Sequence, residues 1–260
     1  MNAVFTDIGN TSIVFFYVKE GKGIILRSYD KVMLKKNVEQ ILLDNKGDYL
    51  TLEVSSVNSL KLKELTNLLR DFHKANIEEL DGMVLKDRIR ELDYTIPNLD
   101  ILGSDMLFDI LGSEASTLIC DYGTASKLMP VDKDKVFLGG MIGPGLSLMN
   151  SSLFHNTDLL GDYAVNLPPD YVNYSTEGAI NASSTFGEAF KVKAMLDKTR
   201  NDTKDPGFKA VLTGGAGEVV YKAMEKLKFT GMTYDPLLLF RGMSKATNIY
   251  ADYFNGGVKK

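Results

Sequence analysis

The sequence predicts an α/β protein built of two related halves, each folded around a mixed central sheet. Two observations predict it. Short β-prone runs alternate with helical ones along all 260 residues. A strand, Asp-x-Gly-[Asn/Thr], strand unit also occurs twice, as "DIGNT" from Asp7 and "DYGTA" from Asp121, 114 positions apart. Similar turns in similar settings at that distance point to a repeated half rather than a short-period array.

The elements follow in order. Ala3–Thr6, Ser12–Lys19 and Ile24–Tyr29 are β-rich runs punctuated by "DIGNT" and "EGKG". A helix is expected over Val38–Lys46, then a strand in "YLTLEVSSV" from Tyr49, then a helix over Leu60–His73 with leucines at helical spacing. "MVLKDR" near Met83 reads as a strand, residues 93–103 as a loop barred from regular structure by Pro97, and Met106–Leu111 as a helix. The pattern then restarts. "STLIC" from Ser116 and "SKLMPV" are strands, "DKDK" a turn, and "VFLGGMIGPG" closes the unit. The chain turns helical after Leu146 and crosses a loop at "NLPPDYVNYS". A long helix over Thr176–Leu196 and a polar loop over Leu196–Gly207 follow, then the strand-turn-helix "AVLTGGAGEVV" and a last helix over Phe240–Tyr253. The halves are expected to span 1–114 and 115–260, with the last helix packing back on the first.

Composition narrows the function classes. The chain is 44% hydrophobic and 25% charged, an ordinary globular balance. A net charge of −4 argues against a nucleic-acid surface. Cys120 is the one cysteine, so no intrachain disulfide can form, and its apolar run suits a buried structural thiol. His73 and His155 are the two histidines, too few for a structural zinc site. The N-terminus lacks a basic leader, and no run of about 18 apolar residues exists for a membrane span. A cytoplasmic protein that binds neither membrane nor nucleic acid is expected.

One D-x-G-N-T alone is a hairpin turn, because Gly and Asn tolerate positive φ. Two such turns suggest more. Glycine lets backbone N–H groups approach an anion, Asn and Thr add donors, and an aspartate at a strand end can hold Mg²⁺. The third element, Thr213-Gly214-Gly215 between a strand and a helix, brings backbone close to a flat or anionic group. It is neither a P-loop nor a Rossmann fingerprint.

These blocks resemble the actin/hexokinase/Hsp70 superfamily of ATP-binding folds, with its ribonuclease H-like halves. More closely they resemble the type III pantothenate kinases. The matching segments are "DIGNTSIVFF", "SSVN", "LGSD", "DYGTAS", "LGGMIGPGLSLMNSSLF", "STEGAINAS", "LTGGAG" and "DPLLLFRGM", nearly end to end. The resemblance implies ATP-dependent phosphorylation of pantothenate, the first step towards coenzyme A, with ATP in a cleft between the halves. It implies that Asp7 orients Mg²⁺, that Gly9, Asn10, Thr11 and Thr124 contact phosphates, and that Gly214 and Gly215 lie near the adenosine. Asp105 becomes the general base, Gly103, Ser104, Thr176 and Tyr94 substrate contacts, and Asp121 the ligand of a monovalent cation, K⁺ or NH₄⁺. A homodimer with the substrate site near its interface is implied too, and "GGMIGPGLSLM" and the helix after Thr176 are candidates for that surface.

Three positions depart from the family pattern. Met106 stands where the family has arginine, which removes a bidentate donor. Lys127 stands where a small hydroxyl residue is usual, and Ser175 replaces an asparagine. The Lys127 ammonium could replace the missing arginine charge or the monovalent cation, or point to solvent. Two other functions stay open: a non-catalytic nucleotide-binding relative, and a sugar or acid kinase of the same superfamily.

Overall fold

Residues 3–46, 49–70 and 75–256 are described by the structure, a computed structural model. The chain divides into two units. The first comprises Met1–Leu92, Pro97–Gly112 and Leu239–Lys260, and the second Asp93–Ile96 with Ser113–Leu238.

The first unit carries a five-stranded sheet, β1 (Ala3–Ile8), β2 (Ile13–Lys19), β3 (Lys22–Ser28), β4 (Leu50–Ser56) and β5 (Ala75–Glu79), in the order β3-β2-β1-β4-β5. The first three strands form an antiparallel meander, and β4 and β5 join in parallel. Alternation decides the two faces. Val4, Ile8, Phe15, Tyr17, Leu52 and Val54 face α1 (Lys31–Asp44) and α2 (Ser59–Arg70), which contribute Leu34, Val38, Ile41, Leu65 and Leu69. Phe5 and Phe16 point the other way, onto α8 (Leu238–Thr247) and α9 (Ala251–Asn255), where Phe16 stacks on Phe240 at 5.3 Å and Phe5 meets Tyr250 edge-on. Glu53 is buried in β4 with Glu78 as its β5 partner. Burial, and secondarily the Glu78 charge, pushes its carboxyl up to about 7.

The second unit repeats this plan. Its strands β6 (Thr117–Tyr122), β7 (Ala125–Val131), β8 (Met141–Pro144), β9 (Lys209–Thr213) and β10 (Met232–Tyr234) run in the order β10-β9-β6-β7-β8. That is the same order read from the opposite edge, again with a meander followed by two parallel strands. Leu118, Cys120, Tyr122, Ala210 and Leu212 pack on α6 (Thr176–Thr203) and α7 (Gly217–Lys226) through Phe186, Ala189, Val192, Val220 and Met224. Cys120 is buried, as expected, and burial raises its thiol well above the ordinary range. The expected α/β class, with two halves that each carry a mixed central sheet, is the fold observed.

Several local expectations are corrected. "MVLKDR" is not a strand. Asp81 Oδ1 accepts from the Met83 and Val84 N–H groups, a turn leading into α3 (Lys86–Glu91). The first helix starts seven residues earlier than expected, at Lys31, because Asp30 caps it by accepting from Met33 N. The helix α6 continues through the polar segment to Thr203. The last helix is split, because Asn248 and Tyr250 both adopt positive φ. The end of the expected Leu60–His73 helix lies outside the described residues. Among those described, no helix is long and apolar enough to cross a membrane.

Candidate active site

In the first unit, the site is built at the C-terminal end of β1 and β4. The chain leaves β1 at Asp7 and Ile8 and turns at Gly9, whose N–H donates to the Ser12 carbonyl at 3.0 Å. That bond closes the turn and leaves Asn10 and Thr11 exposed at its tip. Asp7, half-buried, lies opposite Ser55 of β4 in the parallel register. Val57 N donates to the Ile8 carbonyl at 3.0 Å, which carries the following Asn58 to the turn. The Asn58 amide donates to Asn10 Oδ1 at 3.1 Å, and its own carbonyl oxygen caps α2 by accepting from Lys61 N. One side chain thus ties the turn to a helix start.

The helix α4 (Ser104–Gly112) brings in Asp105. Its first turn is held by a small buried network. Ser55 Oγ donates to Ser104 Oγ at 3.0 Å, and Ser104 Oγ donates to the Ser56 carbonyl at 3.2 Å. Asp105 follows at once, half-buried, and its Oδ1 accepts from Met106 N at 2.8 Å. A Cβ on Gly103 would come within 2.8 Å of Asp105 Oδ1, so a larger residue there would shift that carboxylate. Asp7, Asn10, Asn58, Ser55, Ser104 and Asp105 therefore belong to one end of one sheet. Ser55, Ser56 and Asn58 received no role in the sequence reading. "SSVN" directly after a buried parallel strand was the available signal, because ligands gather at the C-terminal ends of such strands.

The hydroxyl pair has a measurable role. Ser55→Ala leaves Ser104 short of one buried partner, a loss on the order of 1–2 kcal/mol. The expected result, read by calorimetry, is a melting temperature lower by about 2–8 °C. An unchanged melting temperature would mean that the pair adds nothing to the fold.

The second unit builds its turn by the same rule. Gly123 N donates to the Ala125 carbonyl at 3.0 Å, leaving Gly123 and Thr124 exposed. Gly145 N donates to the Thr124 carbonyl, and a Cβ on Gly145 would strike the Gly123 carbonyl at 2.2 Å. Gly145 opens α5 (Leu146–Asn156) without a side-chain cap, and α7 likewise starts uncapped after Ala216. Uncapped starts leave backbone N–H donors for an anion. Gly214 lies against Asp121, at φ +81, where a Cβ would sit 2.4 Å from Asp121 Oδ1. On the neighbouring strand Lys127 Nζ donates to Asp121 Oδ2 at 2.6 Å, both side chains being about 12–13% exposed. Lys127 therefore points at Asp121, not to solvent.

Thr176 and Tyr94 are further candidates of this unit. Ser175 caps α6 by accepting from Gly178 N, which gives that departure a structural purpose. It lines, with Thr176, Asn173, Tyr174, Leu153 and Ile180, an open groove of about 420 Å³. Tyr94 is buried, donates its hydroxyl to the Ser113 carbonyl at 2.9 Å and has Lys135 over its ring. Burial raises its phenol to about 12.

The sequence profile described as type III pantothenate kinase matches residues 3–198. The chain belongs to the type III pantothenate kinase family. A relative of that name from Agathobacter rectalis is 25% identical over 63% of this chain and 62% of its own length. Another, from Borrelia garinii, is 25% identical over 86% of this chain and 88% of its own. Among solved structures, a Baf family protein of Campylobacter jejuni aligns with 94% of this chain and 97% of its own, at 21% identity and a TM-score of 0.56. It supports the fold alone.

Mg²⁺ can be tested against the donor set. No group of three or more His, Cys, Asp or Glu able to hold a metal exists among the described residues. Asp7 at its strand end offers hard oxygen of the kind Mg²⁺ takes alongside substrate phosphates, with water completing the octahedron. The residues fit an ion that arrives with a nucleotide, not a metal held by protein alone.

Proposed function

We propose that this member of the family is an active, ATP-dependent kinase that phosphorylates pantothenate to 4'-phosphopantothenate, in the cytoplasm. The observation that carries the reading is the gathering of Asp7, the Gly9–Thr11 turn and Asp105 at one end of the first sheet. Phosphoryl transfer needs positioned phosphates, a metal and a group to take the hydroxyl proton. Gly9, Asn10, Thr11 and Thr124 would contact the phosphates, and Gly214 and Gly215 the adenosine. Asp7 would hold Mg²⁺, which when bound neutralises charge on the transferred phosphoryl group. Asp105 would accept the proton as the substrate oxygen attacks the γ-phosphorus and ADP leaves. Gly103, Ser104 and Thr176 would position the acceptor. A monovalent cation is left out of this reading, because Lys127 stands on Asp121.

We further propose a homodimer. Met141, Ile142, Leu148, Phe154 and Tyr174 are all exposed, on β8, α5 and the segment before α6. An apolar surface of this kind suits a second copy of the chain.

A second reading, a nucleotide-binding relative that turns over slowly, is favoured by Met106, which brings no charge to the acceptor. One assay separates the two. The purified protein with ATP and Mg²⁺ should release ADP with pantothenate and not with a panel of sugars and other acids. Measurable ATP binding without ADP release would favour the slow relative, and release with a sugar would favour another kinase of the superfamily.

A further inference from the structure

The Asp121–Lys127 pair occupies the place where the resemblance puts a monovalent cation. The two residues are direct partners across the antiparallel β6–β7 ladder, so their side chains leave the sheet on one face. The ammonium lies 2.6 Å from Oδ2, and the Gly214 backbone closes over Oδ1. Both side chains are nearly buried. A free cation reaching this carboxylate would have to displace Lys127 or sit against a like charge in a weakly screened site. The residues present do not fit a free ion here.

We propose that Lys127 is the resident cation of the second phosphate turn, so that this protein binds nucleotide without K⁺ or NH₄⁺. An alkylammonium carries the same single charge as those ions. Being tethered to β7, it needs no recruitment from solution. Its partner Asp121 adjoins both backbone segments of the turn, Gly123–Thr124 through β6 and Gly214 directly. Lys127 therefore acts as a positioning residue through Asp121. The role of the turn rests on the kinase reading, whereas the charge pair itself does not.

The test has two arms. Wild-type protein is assayed for ATP binding and for thermal melting in KCl, NH₄Cl, NaCl or choline chloride at equal ionic strength. Both readouts are expected to agree within about twofold affinity and one degree across the salts. Lys127→Ala and the longer Lys127→Met are then compared in choline and in potassium. Each is expected to lose about tenfold or more in ATP affinity in choline, to melt lower, and to recover both properties in K⁺ or NH₄⁺. A wild type that needs K⁺ for ATP binding or for its full melting temperature overturns the proposal. So do variants whose losses are the same in every salt, which would make the pair a structural ion pair only. Should the variants not fold in choline, folding restored by K⁺ supports the proposal, and failure in all salts overturns it. Melting requires no turnover, so a protein that phosphorylates nothing would refute the kinase reading and leave this one decided.

Discussion

Asp105→Asn is expected to lower ADP release with pantothenate by about 10³-fold while leaving ATP affinity within about twofold. The amide keeps the shape of the carboxylate and can no longer take a proton. Its neighbours remain, because an asparagine Oδ1 can still accept from Met106 N and the Ser55–Ser104 hydroxyl pair still ties the first turn of α4 to β4. The measurements are a coupled assay for ADP and a direct titration with ATP. A variant that keeps a tenth or more of the wild-type rate would remove Asp105 from the role of base. A variant that loses ATP binding in parallel would make it part of the nucleotide site instead.

The largest stability effect is expected at Gly242. This glycine of α8 lies so close to α4 that an added Cβ would meet the Phe108 carbonyl oxygen at 1.8 Å and Gly112 N at 2.9 Å. Both obstacles are backbone, so neither can rotate away. Gly242→Ala must push the two helices apart and should cost about 3 kcal/mol. Calorimetry should show a melting temperature lower by about 6–12 °C. Gly187 in α6 is the control, since its Cβ would enter open space. There alanine should be neutral or stabilising by about 0.5–1 kcal/mol. Equal responses at the two sites would show that helix propensity, not close approach, decides.

What was legible in the sequence is what is local. A turn such as Asp7–Thr11 carries its own requirements, a glycine to bend and polar groups to close, so it can be found twice without knowing the fold. The meander strands were legible for a similar reason, since each is a short apolar run between polar turns. Failures came where distant packing decides. The strand β5 is "ANIEE", largely polar because it is a half-exposed edge, and no pattern announces it. "MVLKDR" misled because Met83 and Val84 are apolar yet exposed, and a single aspartate hydrogen-bonding the backbone makes that stretch a turn. At the break between α8 and α9, Asn248 and Tyr250 take positive φ and Ser244 Oγ donates to the Ile249 carbonyl, a contact no periodicity encodes. At the site, the aspartates stood out by residue type. The serines that hold Asp105 in place did not, because a buried serine gains meaning only from its neighbour.

The return of α8 and α9 to the first sheet sets an order of events during synthesis. Tyr250 donates its hydroxyl to the Ala3 carbonyl, joining positions 247 residues apart. Phe240, Tyr250 and Phe254 cover Phe16. While the ribosome is still making the second unit, the strands carrying Phe5 and Phe16 have already emerged, and their aromatic rings lack the cover of α8 and α9. The first unit is therefore begun first and completed last. The cost falls on the nascent chain, which must hold an aromatic sheet face open to water and to other chains while Ser113–Leu238 and the helices after it are translated.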